Sequence, residues 1–170
     1  AEHGADSQVV LVALSKSIVE NVNAEIEKQI SILPRKEIAA LALQNSVSII
    51  MENIDAAFEL LNEYAPEHLI IASDDAENLS EKVINAGSVF LGHYSPESAG
   101  DYASGTNHTL PTNGYAKSYS GVSLDSFVKK ITFQQISKTG IQNIGTSVET
   151  MAAAEGLDAH RNAVTIRLKN

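Results

Sequence analysis

Val9-Val10-Leu11-Val12-Ala13-Leu14, with Ser17-Ile18-Val19-Glu20 close behind, decides the fold class. An unbroken run of Val, Leu and Ala this short reads as a buried strand. Ser17 with Glu20 forms a capping box. Val19, Val22, Ile26, Ile30 and Leu33 then recur at three- and four-residue steps, one stripe of a helix ending at Pro34. A second helix starts at Pro34 and carries Ile38, Leu41 and Ala42. Val47 to Met51 reads as a strand, and Asn53 caps a helix whose apolar face is Ile54, Ala57, Phe58 and Leu61. Leu69 to Ala72 is a third strand. Ser73, Asp74 and Asp75 offer caps for a helix with Leu79 and Val83 that stops near Gly87, and Ser88 to Leu91 is a fourth strand. Short strands alternating with helices make an α/β fold with a mostly parallel sheet, and the lack of polar alternation predicts that both sheet faces are covered.

The pattern stops over residues 92–122. This stretch holds five of the ten glycines, four of the five tyrosines and two of the five histidines, and its only acidic or basic side chains are Glu97, Asp101 and Lys117. So many tyrosines with so little charge argue against disorder, and a long loop inside a compact domain is usually functional. A site is therefore expected here. Helical spacing resumes at Ser123 with Leu124, Phe127, Val128 and Ile131, followed by a short extended piece over Thr132 to Ile136. Ser137 caps a longer helix carrying Ile141, Ile144, Val148, Met151 and Ala152, which Gly156 stops. Asp158 caps a last element whose alternating Val164, Ile166 and Leu168 suggest a helix fraying into extended chain. Residues 123–170 read as a helical appendage to a main domain over 1–122.

A net charge of −9 argues against a nucleic-acid or acidic-membrane partner, which calls for clustered positive charge. With no cysteine, a thiolate zinc site, a disulfide scaffold and a cysteine nucleophile are excluded, and a reducing, cytoplasmic location fits. No apolar run reaches the ~18 residues that span a bilayer. The chain opens on Ala1 rather than Met and shows no signal peptide, and it reads as part of something longer. There is no Gly-rich nucleotide fingerprint and no nucleophile elbow.

The histidines at 3, 68, 93, 108 and 160 include no pair at helical metal-ligand spacing, so a metal site has to be assembled from distant segments with nitrogen and oxygen donors. On spacing alone His3 reads as an exposed terminal histidine. Glu67-His68, ahead of a strand, reads as a turn or as an acid–base pair for proton transfer. Asp101, between small residues, suits a metal ligand or a turn equally, and His108 is as ambiguous. His93 reads as a loop histidine, and Glu155 and His160 as a solvated helix end.

Joined together, several stretches resemble the C-terminal part of histidinol dehydrogenase. They are Ala1-Glu2-His3-Gly4 with Asp6-Ser7-Gln8, Ala65-Pro66-Glu67-His68-Leu69 and Gly87-Ser88-Val89-Phe90. The longest runs from Ser95-Pro96-Glu97-Ser98-Ala99-Gly100-Asp101-Tyr102 through Ala103-Ser104-Gly105-Thr106-Asn107-His108. The last is Ala154-Glu155-Gly156-Leu157 with His160 and Asn162-Ala163-Val164. The resemblance spans essentially the whole chain. It implies oxidation of L-histidinol to L-histidine in two NAD-dependent steps at the end of histidine biosynthesis, with one zinc holding the substrate. It implies His3, Asp101 and His160 as zinc ligands. The same three with His68 and Glu155 would line the substrate, His68 would take the alcohol proton, and Glu67 would activate the water of the second step. The ligands would converge at the strand ends and the long loop, where α/β sheets bind ligands.

The resemblance also implies what these residues lack. A further zinc ligand, a glutamine, would precede Ala1. The NAD contacts and the strands completing a Rossmann-like sheet would lie in an N-terminal half. The family is a homodimer, so 123–170 would be a dimerisation or swap appendage whose Glu155 and His160 serve the neighbouring subunit. These residues alone would then be inactive. Two other readings compete: a non-catalytic truncated assembly or binding module, and a related metal-dependent dehydrogenase or hydrolase acting on a simpler substrate such as a sulfonated diol.

Overall fold

Two parallel strand pairs organise the chain. The computed structural model describes residues 1–169. Strands β1 (Val10–Ala13) and β2 (Val47–Ile50) pair in parallel from Val10↔Val47 to Ala13↔Ile50, joined by helices α1 (Lys16–Ile30) and α2 (Lys36–Gln44). Strands β3 (His68–Ile71) and β4 (Ser88–Leu91) pair in parallel from His68↔Ser88 to Ile71↔Leu91, joined by the short α4 (Ala76–Ser80). Helix α3 (Ile54–Tyr64) links the two pairs in sequence. Among the described residues these are two separate two-stranded ladders.

Helix α1 obeys the expected stripe: Val19, Val22, Ile26 and Ile30 are half-buried and the residues between them exposed. Its cap differs from expectation. Ser15, not Ser17, has the extended backbone of an N-cap, and its Oγ accepts from Ile18 N at 3.4 Å, while Ser17 lies inside the helix. The helix also ends at Ile30, a turn before Pro34. Asn53 does cap α3, its Oδ1 accepting from Ala56 N at 2.9 Å. The apolar face of α3 builds the core: Phe58, Leu69, Ile71 and Ala76 are buried, with Ile54, Leu61, Leu79, Val83 and Val89 packed around them. Helix α4 ends at Ser80, well short of Gly87.

Two expectations fail here. The sheet faces are not both covered: Val47 and Ile50 of β2 and Ile70 of β3 are each about half exposed. An apolar strand sequence tells that a face wants cover, and these strands carry more apolar surface than the described elements reach. Residues 92–122 are not without structure either. Helix α5 (Glu97–Tyr102) and a single 3₁₀ turn (Tyr115–Lys117) lie within them.

The chain divides into two compact units, Ala1–Phe127 and the residues from Val128 onward. The helix expected from Ser123 shrinks to one 3₁₀ turn (Leu124–Phe127), with Leu124 and Phe127 exposed. Helical spacing alone, without an apolar face to bury, does not sustain a short helix in water. The second unit is a helical hairpin of α6 (Lys138–Ala154) and α7 (Asp158–Leu168). Ser137 Oγ accepts from Gly140 N at 3.0 Å, and Gly156, at φ +73°, makes the left-handed stop. The alternation of Val164, Ile166 and Leu168 does not mark extended chain. Leu168 packs on Gly145, where an added Cβ would meet its Cδ1 at 2.8 Å, and that contact keeps the last turn helical. No helix among the described residues is long and apolar enough to cross a membrane.

Candidate active site

The site begins with the segment ahead of β1. Ser7 N donates to Gly4 O (3.1 Å), closing a turn. Arg35 donates to the His3 carbonyl at 3.4 Å, Asn45 Nδ2 to Ala5 O at 3.2 Å, and Tyr64 OH to Gln8 Oε1 at 2.7 Å. These contacts carry the His3 side chain toward α5.

Glu67 and His68 sit where β3 starts. Gly87 N donates to Pro66 O and Ser88 N to Glu67 O, both at 2.9 Å, so the first rung of the β3–β4 ladder holds the dipeptide. Gly87 has to be glycine for this approach: an added Cβ would lie 2.5 Å from the Glu67 carbonyl oxygen. His68 opens β3, so the site lies at the amino end of that strand. Helix α5 reaches this strand end because the chain returns after β4: α5 folds back over Phe90, and Gly100 is buried against the Phe90 ring, where a Cβ would come within 2.7 Å of Cε1.

Helix α5 presents Glu97 and Asp101 four residues apart, hence on one face. Donor atoms of His3, Glu97 and Asp101 all lie within 4.8 Å of one another. One imidazole nitrogen with carboxylate oxygens is a donor set that zinc accepts, at ~2.0–2.2 Å per bond, and small side-chain shifts would draw the three to that distance. Two buried polar atoms beside the cluster lack hydrogen-bond partners, His68 Nε2 and Glu97 Oε1, and they face each other at 3.7 Å. The His68 ring stacks on Phe90 with centroids 6.0 Å apart.

Of the residues singled out from sequence, His3, Asp101 and His68 therefore come together, with Glu67 adjacent in the chain. Glu155, the C-cap of α6, and His160, in the first turn of α7, belong to the second unit and are exposed. His93 pairs with Asp74 at 3.2 Å on the surface, and His108 is exposed. Glu97 was missed. Its signal was available: an acid directly after Pro96 marks a helix start, and Asp101 follows at helical spacing.

The family model for histidinol dehydrogenase matches residues 1–168. The chain is 60% identical over 168 residues to histidinol dehydrogenase of Bacteroides thetaiotaomicron, covering 99% of this chain and 39% of that protein. It is 55% identical over 171 residues to the chloroplastic histidinol dehydrogenase of Arabidopsis thaliana, covering 100% of this chain and 37% of that one. The crystal structure of histidinol dehydrogenase from Elizabethkingia anophelis superposes with a TM-score of 0.91 at 58% identity, over 99% of this chain and 39% of that chain. The chain thus spans about two-fifths of the length of the curated relatives it matches. From β1 to α7, these residues belong to the histidinol dehydrogenase family.

Proposed function

We propose that this chain supplies the acid–base pair and part of the metal-binding set of a zinc- and NAD-dependent histidinol dehydrogenase. The observation that carries the reading is the meeting of His3 and Asp101 beside His68, from three segments far apart in sequence. A zinc held by His3 and Asp101, with His160 supplied by a second copy of the chain, would orient the amine and imidazole of histidinol, and NAD would take up the hydride. His68 accepts the proton of the carbinol as the alcohol is oxidised. Its backbone is held by the β3–β4 ladder and its ring by Phe90, so the base is presented at fixed position. Glu67, adjacent to it, draws the proton from the water that adds at the aldehyde level. Glu155 and His160 complete the amino-imidazole end of the substrate pocket.

The activity belongs to the protein at the full length of its relatives. A second copy is the proposed partner, with Glu155 and His160 serving the neighbouring site. Support for a partner comes from large apolar side chains left exposed close together in sequence: Leu124, Phe127, Ile131 and Phe133, the last 92% exposed. The test is NADH formation from histidinol by the full-length protein. His68→Asn and Glu67→Gln should each lower kcat by ~10²–10⁴ with zinc content retained, and the 170-residue chain alone should form no NADH. Undiminished turnover in His68→Asn would remove His68 from the proton transfer.

A further inference from the structure

Glu97 is given no step in the reaction just described, yet its carboxylate adjoins both His68 and the His3–Asp101 pair. We infer that Glu97 is a positioning residue: its carboxylate is the acceptor that holds the His68 imidazole with a proton on Nε2, beside the His3–Asp101 donor pair.

Three observations carry this. First, His68 Nε2 and Glu97 Oε1 are both buried and both without a hydrogen-bond partner, and buried polar atoms of native proteins are seldom left so. Second, they are 3.7 Å apart. A charge-assisted N–H···O bond is ~2.7–2.9 Å long, so a shift of about 0.9 Å joins them. A bridging water with two ~2.8 Å bonds would have to bend to roughly 80°, far from its tetrahedral preference. Third, both residues are referenced to one ring. Phe90 stacks on His68 and receives Gly100 of α5, the helix on which Glu97 stands one turn earlier. The separation of the two groups is therefore set by packing.

The chemistry follows from the tautomer. An imidazole whose Nε2–H is held by a carboxylate keeps Nδ1 as its free lone pair. Glu97 also offers a carboxylate oxygen within 4.8 Å of donor atoms of His3 and Asp101, so one carboxylate adjoins both the base and the metal set. The catalytic meaning of this bond rests on the proposed function, whereas the bond itself does not.

The experiment uses the metal-free protein at the full length of its relatives and observes the imidazole N–H protons by NMR. A downfield Nε2–H resonance from His68 is expected, identified by its absence in His68→Gln. It should vanish in Glu97→Leu and persist, shifted, in Glu97→Gln, whose amide oxygen still accepts. Backbone amide spectra report whether each variant is folded. With zinc and NAD restored, Glu97→Leu should lower kcat at least tenfold at unchanged KM for histidinol, with Glu97→Gln between it and the native protein. Absence of the resonance in the native protein, or its survival unchanged in Glu97→Leu, overturns the inference. So does loss of zinc from Glu97→Leu with the resonance intact, which would make Glu97 a metal ligand only. Should the native protein fail to oxidise histidinol, the proposed function falls while the resonance still decides the role of Glu97.

Discussion

Gly87→Ala sets sterics against chain entropy with opposite signs, and the site depends on the outcome. The Cβ of alanine would sit 2.5 Å from the Glu67 carbonyl oxygen, 3.3 Å from the Glu67 carbonyl carbon and 3.2 Å from Leu110 Cβ. Ordinary contact starts near 3.4 Å, so the two chains have to part by ~0.9 Å. The obstacle is backbone and cannot rotate away. Overpacking of this kind costs ~1–3 kcal/mol. The two hydrogen bonds at this rung, Gly87 N to Pro66 O and Ser88 N to Glu67 O, each stand to lose part of ~0.5–1.5 kcal/mol. Against this, alanine narrows the unfolded ensemble and stabilises by ~0.4–1 kcal/mol. The net is a loss of ~2–3 kcal/mol, which at ~2–4 °C per kcal/mol for a chain of this size lowers Tm by ~5–10 °C. Gly92→Ala is the control: nothing lies within 4 Å of its added Cβ, but its φ is +79°, so only the left-handed backbone cost of ~1–2 kcal/mol applies. Far-UV circular dichroism melts of both variants decide the matter. A Gly87→Ala protein melting at or above the native temperature would refute the close approach, because the entropy term acting alone raises Tm.

Three other outcomes follow from the same structure. Phe58→Ala empties the centre of the core beneath β3 and should cost ~3–5 kcal/mol, read as a lower denaturant midpoint at constant m. Zinc added to the metal-free full-length protein should raise Tm, by ~2.7 kcal/mol of stabilisation at a hundred times Kd, and His3→Ala should abolish most of that gain. Phe133→Asp, at a solvated position of this chain, should leave its melting temperature within ~1 °C, and on the proposed second-copy partner it should lower the sedimentation coefficient of the full-length protein to that of a monomer.

The parts of the fold legible in sequence are those with a period. Strands β1, β2 and β4 and the stripe of α1 follow from apolar spacing, and the caps at Asn53 and Ser137 from a side-chain oxygen three residues ahead of the amide it meets. Errors fall where the deciding contact is not periodic. Ser15 and Ser17 are both competent caps, and only the extended backbone at Ser15 separates them. Residues 123–131 have helical spacing but no face to pack, and they form one turn. Helix α7 looks partly like a strand because Val164, Ile166 and Leu168 alternate, yet it is held helical by Leu168 against a glycine 23 positions earlier.

Helix α5 is the same failure at the place where it matters most. In Glu97-Ser98-Ala99-Gly100-Asp101-Tyr102 the acid after Pro96 and the spacing to Asp101 hint at a helix, but with no apolar stripe nothing announces how it docks. It docks through Gly100, and a glycine that admits an aromatic ring is invisible to any hydrophobic period. Motif resemblance could single out His3, His68 and Asp101, since each stands in a distinctive run of neighbours. Glu97 stands in the same run as Asp101, and its separate role emerges only when α5 is folded and seated. The two carboxylates then share a face, and the Phe90 ring that receives Gly100 also stacks on His68. A substitution at Phe90 should therefore act on the site as well as on the core. Phe90→Ala should loosen the seat of α5 and the orientation of His68 at once, so the full-length variant should lose both the zinc-dependent rise in Tm and NADH formation from histidinol, where a purely structural role for the ring would lower Tm alone.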